Sequence, residues 1–331
     1  QLKLGPSTYT IKDSIAQPTA TKSGYEFAGW HENSDLSGDA IFSINEGTTG
    51  NKEYYASWNE SVYSITYMDG DTKIENLSPA SYTTTKRTDL PTPSKEGYTF
   101  NGWYNDANLT EKVSSIPMNS IGDKIFYANF TINQYTIKFN SNDGSAVDSI
   151  TANYDILVTK PADPTREGYT FAGWFKDENL TNAWNFETDT MPVNGITLYA
   201  KWIANSYSVI FNANSGEGSM ESQTFTYDAA QRLTANAFTK TGYKFLGWSL
   251  NQSATEAEYT DGQEVRNLAS ENETTVTLYA VWQINQYTIT FNSNDGSAVN
   301  PITDDYNATV TLPNPTKEGH AFAGWYSDEK L

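Results

Sequence analysis

Five copies of one aromatic phrase constrain this chain more than anything else in it. GYEFAGW begins at Gly24, GYTFNGW at Gly97, GYTFAGW at Gly168, GYKFLGW at Gly242 and GHAFAGW at Gly319. The glycines lie 73, 71, 74 and 77 residues apart, a period suited to a small globular unit and too long for one coil of a thin solenoid. Self-similarity at that spacing overrides the two or three ordinary domains that a length of 331 residues would otherwise suggest.

Two further phrases keep step with the first. A closing phrase reads YASW from Tyr55, YANF from Tyr127, YAKW from Tyr199 and YAVW from Tyr279. An opening phrase reads YSITYMDG from Tyr63, YTIKFNSNDG from Tyr135, YSVIFNANSG from Tyr207 and YTITFNSNDG from Tyr287. They divide the chain into repeat I (1–60, partial, without an opening strand), II (61–132), III (133–204), IV (205–284, with an insertion) and V (285–331, partial, stopping after the aromatic phrase at Leu331). Four residues separate each closing phrase from the next opening one: 59–62, 131–134, 203–206 and 283–286, with no Gly or Pro among them. Links of constant length without glycine predict neighbours held at a repeated angle, hence a rod, and the two partial end repeats are expected to be cut from something longer.

Within a repeat, Tyr135, Ile137 and Phe139 alternate with Thr136, Lys138 and Asn140, the period of a strand with one buried face. The Asn-Asp-Gly that follows (Asn142–Gly144, Asn294–Gly296) tolerates positive φ and predicts a tight hairpin turn. Leu198, Ala200 and Trp202 share one side of a second strand. In the central phrase strict alternation would put Tyr98, Phe100 and Gly102 on one face and Trp103 on the other, so the glycine predicts a bulge or close approach that re-aims the tryptophan. Turns such as Thr165-Arg166-Glu167-Gly168 lead into it. A helical turn or two is expected around Asp177 to Trp184 and its counterparts, which makes the fold mainly β, α+β at most.

Eight of the nine tryptophans belong to these phrases: Trp30, Trp103, Trp174, Trp248 and Trp325 in the central one, Trp58, Trp202 and Trp282 in the closing one, with Trp184 outside. A unit near 72 residues sits where a single core barely offsets chain entropy, and natural solutions usually add disulfides or metals. This chain has no cysteine and two histidines, so aromatic bulk substitutes, each large ring burying roughly 150–250 Å². The eight tryptophans are therefore read as structural core, one set per repeat. The three phrases in this order and period resemble the Listeria-Bacteroides repeat family, which includes the B repeat of internalin B. The resemblance covers nearly the whole chain. It implies tandem β-grasp-like (ubiquitin-like) modules in secreted or cell-wall-attached bacterial proteins, acting as spacers or adhesive modules, with no catalytic residues. Repeat IV departs from it with Asn236-Ala237-Phe238 where others have proline and with extra residues between Leu250 and Val276, and His320 replaces the motif tyrosine in repeat V.

A net charge of −19 argues against nucleic acid and anionic membrane surfaces as partners. No apolar run reaches the length of a membrane span, and the lack of cysteine suits a cell surface and a cytosol alike. His31 and His320 have no nearby Ser or Cys nucleophile in sequence and are read as surface or packing residues. None of the 40 carboxylates stands out as an acid–base pair. Asp69-Gly70-Asp71 and Ser141–Gly144 faintly resemble calcium loops, without the later bidentate glutamate, and read as turns. Gly216-Glu217-Gly218 is half of a phosphate loop with a repelling glutamate inside it. No catalytic residue, metal or cofactor is expected.

The expected function is thus a non-catalytic stalk or spacer of a bacterial surface protein that contributes to adhesion. The alternative is a set of modules that recognise a glycan or host-cell protein through exposed tyrosines, for which the exposure of Tyr98, Tyr169 and Tyr243 discriminates. A non-catalytic arm of a secreted carbohydrate-active enzyme is a remote third reading. The rod is expected to be monomeric and extracellular, with end-to-end association open through its incomplete end repeats and a Lys–Asn isopeptide or an ester crosslink open as reinforcement.

Overall fold

In the computed structural model, residues 8–12 and 14–328 are described, and they form strands and turns with no helix. They fall into two compact units. The first holds residues up to Thr136 with Ile150–Val158 and Thr190–Gly195, the second Ile137–Ser149, Thr159–Asp189 and Ile196 onward, so the division runs inside repeat III.

In the first unit, repeat II shows the plan in full. Its opening strand, Val62–Asp69, lies parallel to its closing strand, Lys124–Ile132, and the far side of the closing strand carries the central strand, Tyr98–Tyr104, antiparallel. Ser81–Thr83 and Thr72–Lys73 pair with the free side of the opening strand. Repeat I pairs its central strand, Tyr25–His31, with its closing strand, Tyr55–Glu60. In the second unit, repeat IV repeats the plan in the order Gln223–Thr226, Ser206–Asn212, Thr275–Ile284, Tyr243–Ser249, and in repeat III Ile137–Asn140 runs parallel to Ile196–Tyr199 beside the central strand Tyr169–Phe175. In repeat V, Gln286–Ile289 pairs with Ile302–Asp305, while the phrase from Gly319 has no partner strand among the described residues.

The central phrase bulges at the predicted place. Pairing slips between Phe27 and Gly29, Phe171 and Gly173, and Phe245 and Gly247, and opposite Asn129/Phe130 in repeat II. The glycine takes φ of 124°, 132°, 118° and 147° in repeats I to IV, values that side chains rarely tolerate. The extra residue turns phenylalanine and tryptophan, three apart, onto one face, where their rings meet edge-on at 5.4, 5.3, 5.4 and 5.0 Å. In repeat II this pair closes a core of Ile65, Tyr67, Tyr82, Trp103, Ile116, Phe126 and Ala128. In repeat IV it packs with Tyr207, Val209, Phe225 and Leu278. Burial pushes the Tyr67 phenol up to about 12.

Two local expectations need correction. The stretch Asp177 to Trp184 is no helix: the Asp177 carboxylate accepts from the Thr181 and Asn182 amides at 3.2 and 2.8 Å, and Leu180 takes φ 56°. A side chain that captures the backbone donors leaves none for a helical ladder. The Asn-Asp-Gly turn forms, with φ 47° and 66° at Asn142 and Asp143 and Gly144 N–H to Ser141 O at 3.0 Å, but the next strand begins at Ile150, so no tight hairpin results. Instead the turn is pinned to the closing strand, where Asn142 Nδ2 donates to Ala200 O (2.7 Å) and Trp202 Nε1 to Ser141 O (2.8 Å). Repeat IV does the same through Asn214 and Trp282. Repeat II has Phe130 in place of that tryptophan, and there a two-residue hairpin joins Asp69 to Thr72.

Candidate functional site

A second recurring feature is the joint between repeats. The expected four-residue link shrinks to one: strands end at Glu60, Ile132, Ala204 and Ile284 and resume at Val62, Gln134, Ser206 and Gln286. Ser61, Asn133, Asn205 and Asn285 alone lie between them. Each donates its backbone N–H to the first glycine of the preceding central phrase: Ser61 to Gly24 O (3.0 Å), Asn133 to Gly97 O (2.8 Å), Asn205 to Gly168 O (2.9 Å), Asn285 to Gly242 O (2.8 Å). At the last three, a tyrosine of the following repeat donates its own amide back to the link carbonyl, Tyr154 to Asn133, Tyr227 to Asn205 and Tyr306 to Asn285, each at 2.8 Å.

The ring of that tyrosine then lies on the glycine. Gly97, Gly168 and Gly242 hold φ of 76°, 75° and 79°, and a Cβ on any of them would overlap the ring of Tyr154, Tyr227 or Tyr306. Two requirements therefore select glycine at one position, the left-handed backbone and the contact surface. The motif tyrosines complete the seat, Tyr98 meeting Tyr154 at 6.4 Å and Tyr169 meeting Tyr227 at 5.8 Å, both near perpendicular. Over each motif tyrosine lies the basic residue of the entry turn: Lys95 over Tyr98 at 4.3 Å, Arg166 over Tyr169 at 4.0 Å, Lys240 over Tyr243 at 4.3 Å. Thr99 and Thr170 hydroxyls donate to the Asn133 and Asn205 side-chain oxygens at 2.6 Å. The third joint adds a polar clasp, in which Asp228 accepts from Tyr169 (2.8 Å), Asn267 (3.0 Å) and Arg266 (3.1 Å). Bonds from Asn267 and Tyr169 hold the Asp228 carboxyl below its ordinary value.

The tryptophans divide by phrase in repeats II to IV and not in the partial repeats I and V. Trp103, Trp174 and Trp248 are buried, and Trp58, Trp202 and Trp282 are half-buried, as are Trp30 and Trp325. Trp184, outside both phrases, is buried too. Tyr98, Tyr169 and Tyr243 are half-buried, the first two against a ring of the following repeat and the third against Lys240. Tyr287, Tyr306 and Tyr326 are the tyrosines that rank among the exposed large side chains of the described residues. His31 is buried, bonded through Nε2 to Ser57 Oγ at 3.0 Å, and His320 Nδ1 faces Glu318 O. Asp69 pairs with Lys95 at 2.7 Å, Glu217 N–H is taken up by Thr239 O, and no group of three or more His, Asp or Glu converges among the described residues. Beside Trp30 in repeat I lies a cavity of about 1280 Å³, lined also by Ile15, Ile44 and Tyr54, where among the described residues no opening strand is present. Sequence reasoning missed the link asparagine and the seat tyrosine. Their signal was present, because Asn133, Asn205 and Asn285 stand 21, 22 and 21 residues before Tyr154, Tyr227 and Tyr306.

Small β repeats that share one strand plan and are joined through single hydrogen-bonded residues define a tandem-repeat protein. The Listeria-Bacteroides repeat domain matches residues 4–57, 63–129, 135–201, 207–281 and 287–331, and the chain belongs to that family. A protein of Evansella cellulosilytica named as a Gly-rich membrane protein is 38% identical over 320 residues, 95% of this chain and 36% of that protein. A second protein of that organism, named as a membrane protein, is 35% identical over 272 residues, 80% of this chain and 40% of its own length. Internalin H of Listeria monocytogenes is 38% identical over 117 residues, 34% of this chain and 20% of internalin H. The chain thus spans 36%, 40% and 20% of the length of these relatives.

Proposed function

We propose that this chain is a non-catalytic spacer segment of a bacterial cell-surface protein, which contributes to adhesion by holding another part of that protein away from the wall. The observation that carries this reading is the joint, a link of one residue whose amide is bonded to a glycine of the preceding repeat, a glycine that at three joints lies beneath a ring from the following one. A segment whose task is display needs angles that persist from repeat to repeat, and a bonded link supplies them where a Gly/Ser tether would not. The surface position is supported by relatives whose names place them with membranes or internalins. Among the described residues no helix is long and apolar enough to cross a membrane, and in this reading anchoring belongs to other parts of the protein.

Recognition through a row of exposed tyrosines is the weaker reading, because Tyr98 and Tyr169 are occupied in joints and Tyr243 lies against Lys240. The test places the chain between a wall anchor and a reporter domain on Gram-positive cells and measures reporter access by a bulky antibody. A spacer gives greater access than a Gly/Ser tether of equal residue number, with no saturable binding of the isolated chain on a glycan array or to host-cell extract. Equal access together with saturable binding would favour the recognition module.

A further inference from the structure

We propose that the joint between repeats I and II is the compliant point of the segment, a hinge set by Thr84, and this rests on the spacer reading above. Thr84 occupies the place that Tyr154, Tyr227 and Tyr306 occupy at the other joints, one residue past the strand that pairs with the opening strand. It faces Gly24, whose φ of 78° matches the other motif glycines, and a Cβ there would meet the Thr84 methyl and hydroxyl in place of a ring.

Three further holds are lost together at this joint. The link is Ser61, which keeps its amide bond to Gly24 O at 3.0 Å but has no side-chain amide. Glu26 stands where Thr99 and Thr170 bond the link asparagine. Among the described residues no backbone bond runs from Thr84 to Ser61, whereas Tyr154, Tyr227 and Tyr306 each make that bond at 2.8 Å. The Thr84 hydroxyl reaches Gly24 O only at 3.5 Å, the outer limit of a hydrogen bond. One backbone bond and a methyl contact thus replace two backbone bonds and a ring. Rotation about the first link meets less resistance than rotation about the second.

The chain has no cysteine, so paired spin labels on introduced cysteines report one distance each in the full chain. Ser34→Cys with Ala107→Cys spans the first joint, and Ala107→Cys with Ile156→Cys spans the second, all at exposed positions. The hinge predicts a broad distance distribution across the first joint and a narrow one across the second. Thr84→Tyr should narrow the first, and the reciprocal Tyr154→Thr should broaden the second, so the test survives misfolding of either variant. Two narrow distributions in the unaltered chain overturn the hinge and leave the spacer standing. Two broad ones overturn the fixed joints on which the spacer depends, and the hinge with them.

Discussion

Gly97 and Gly319 have the same left-handed backbone, φ 76° and 72°, in opposite surroundings, the first under the Tyr154 ring and the second with nothing among the described residues within 4 Å of a Cβ. Alanine at either position carries backbone strain of about 1–3 kcal/mol. Only at Gly97 must it also displace a ring. Gly97→Ala should therefore lower the urea midpoint, followed by tryptophan fluorescence, more than Gly319→Ala; equal effects would remove the ring from the account. A second pair of residues separates the indole N–H from the indole ring. Trp103 Nε1 donates to Pro91 O at 2.6 Å, whereas the buried Trp174 Nε1 has no partner among the described residues. Pro18, Pro91 and Pro313 all accept from the tryptophan twelve residues on, and Ala162 and Asn236 stand at that place in the two repeats whose indole is unpaired. Phenylalanine removes a satisfied donor at 103 and an unsatisfied one at 174. Trp174→Phe should thus cost about 1–3 kcal/mol less than Trp103→Phe in chemical unfolding.

At the scale of the element, the turn after the opening strand is held by side chains of the strand it faces. Loss of one hydrogen bond through Trp202→Phe or Asn142→Ala should destabilise repeat III by about 0.5–1.5 kcal/mol each, and the two should couple in a double-mutant cycle because they pin one turn. The loop after the central strand is held by a carboxylate instead. Asp106 accepts from the Glu111 amide at 3.0 Å, from the Thr110 amide and hydroxyl at 3.1 and 2.9 Å, and from the Asn108 amide at 3.0 Å. The Glu111 amide leads in holding its pKa below the ordinary 3.8. A folded value under the unfolded one means that this hold is complete above about pH 4 and fades as pH falls through the lower folded value. The Glu111 amide shift should titrate with a midpoint below 3.8. A midpoint at or above it would mean the loop is held by something else. Much of the strand plan was legible because alternation and a strand glycine are local signals: Ile137 and Phe139 announced a face, and Gly102 its bulge. The Asp177 loop was not legible, because a helix and a carboxylate-captured turn make the same local demand on an Asp followed by polar residues. The hairpin expected after Asn142 failed for a non-local reason, the reach of Trp202 and Asn142 across to each other's segments.

At the scale of the whole molecule, stability and angle are matters between neighbours. A repeat whose turn glycine is covered by the next repeat's ring gains contacts only when that neighbour is folded, the nearest-neighbour coupling of repeat proteins. The joint was half legible. The absence of Gly and Pro from the links announced stiffness, but the seat of Tyr154 on Gly97 joins residues 57 apart, and no local pattern reports it. Hydrogen–deuterium exchange at the link amides tests this most directly. With the joints locked as described, the amides of Asn133, Asn205 and Asn285 and of Tyr154, Tyr227 and Tyr306 exchange as slowly as those of the strands beside them. Exchange of these six at the rate of an open loop would contradict the account.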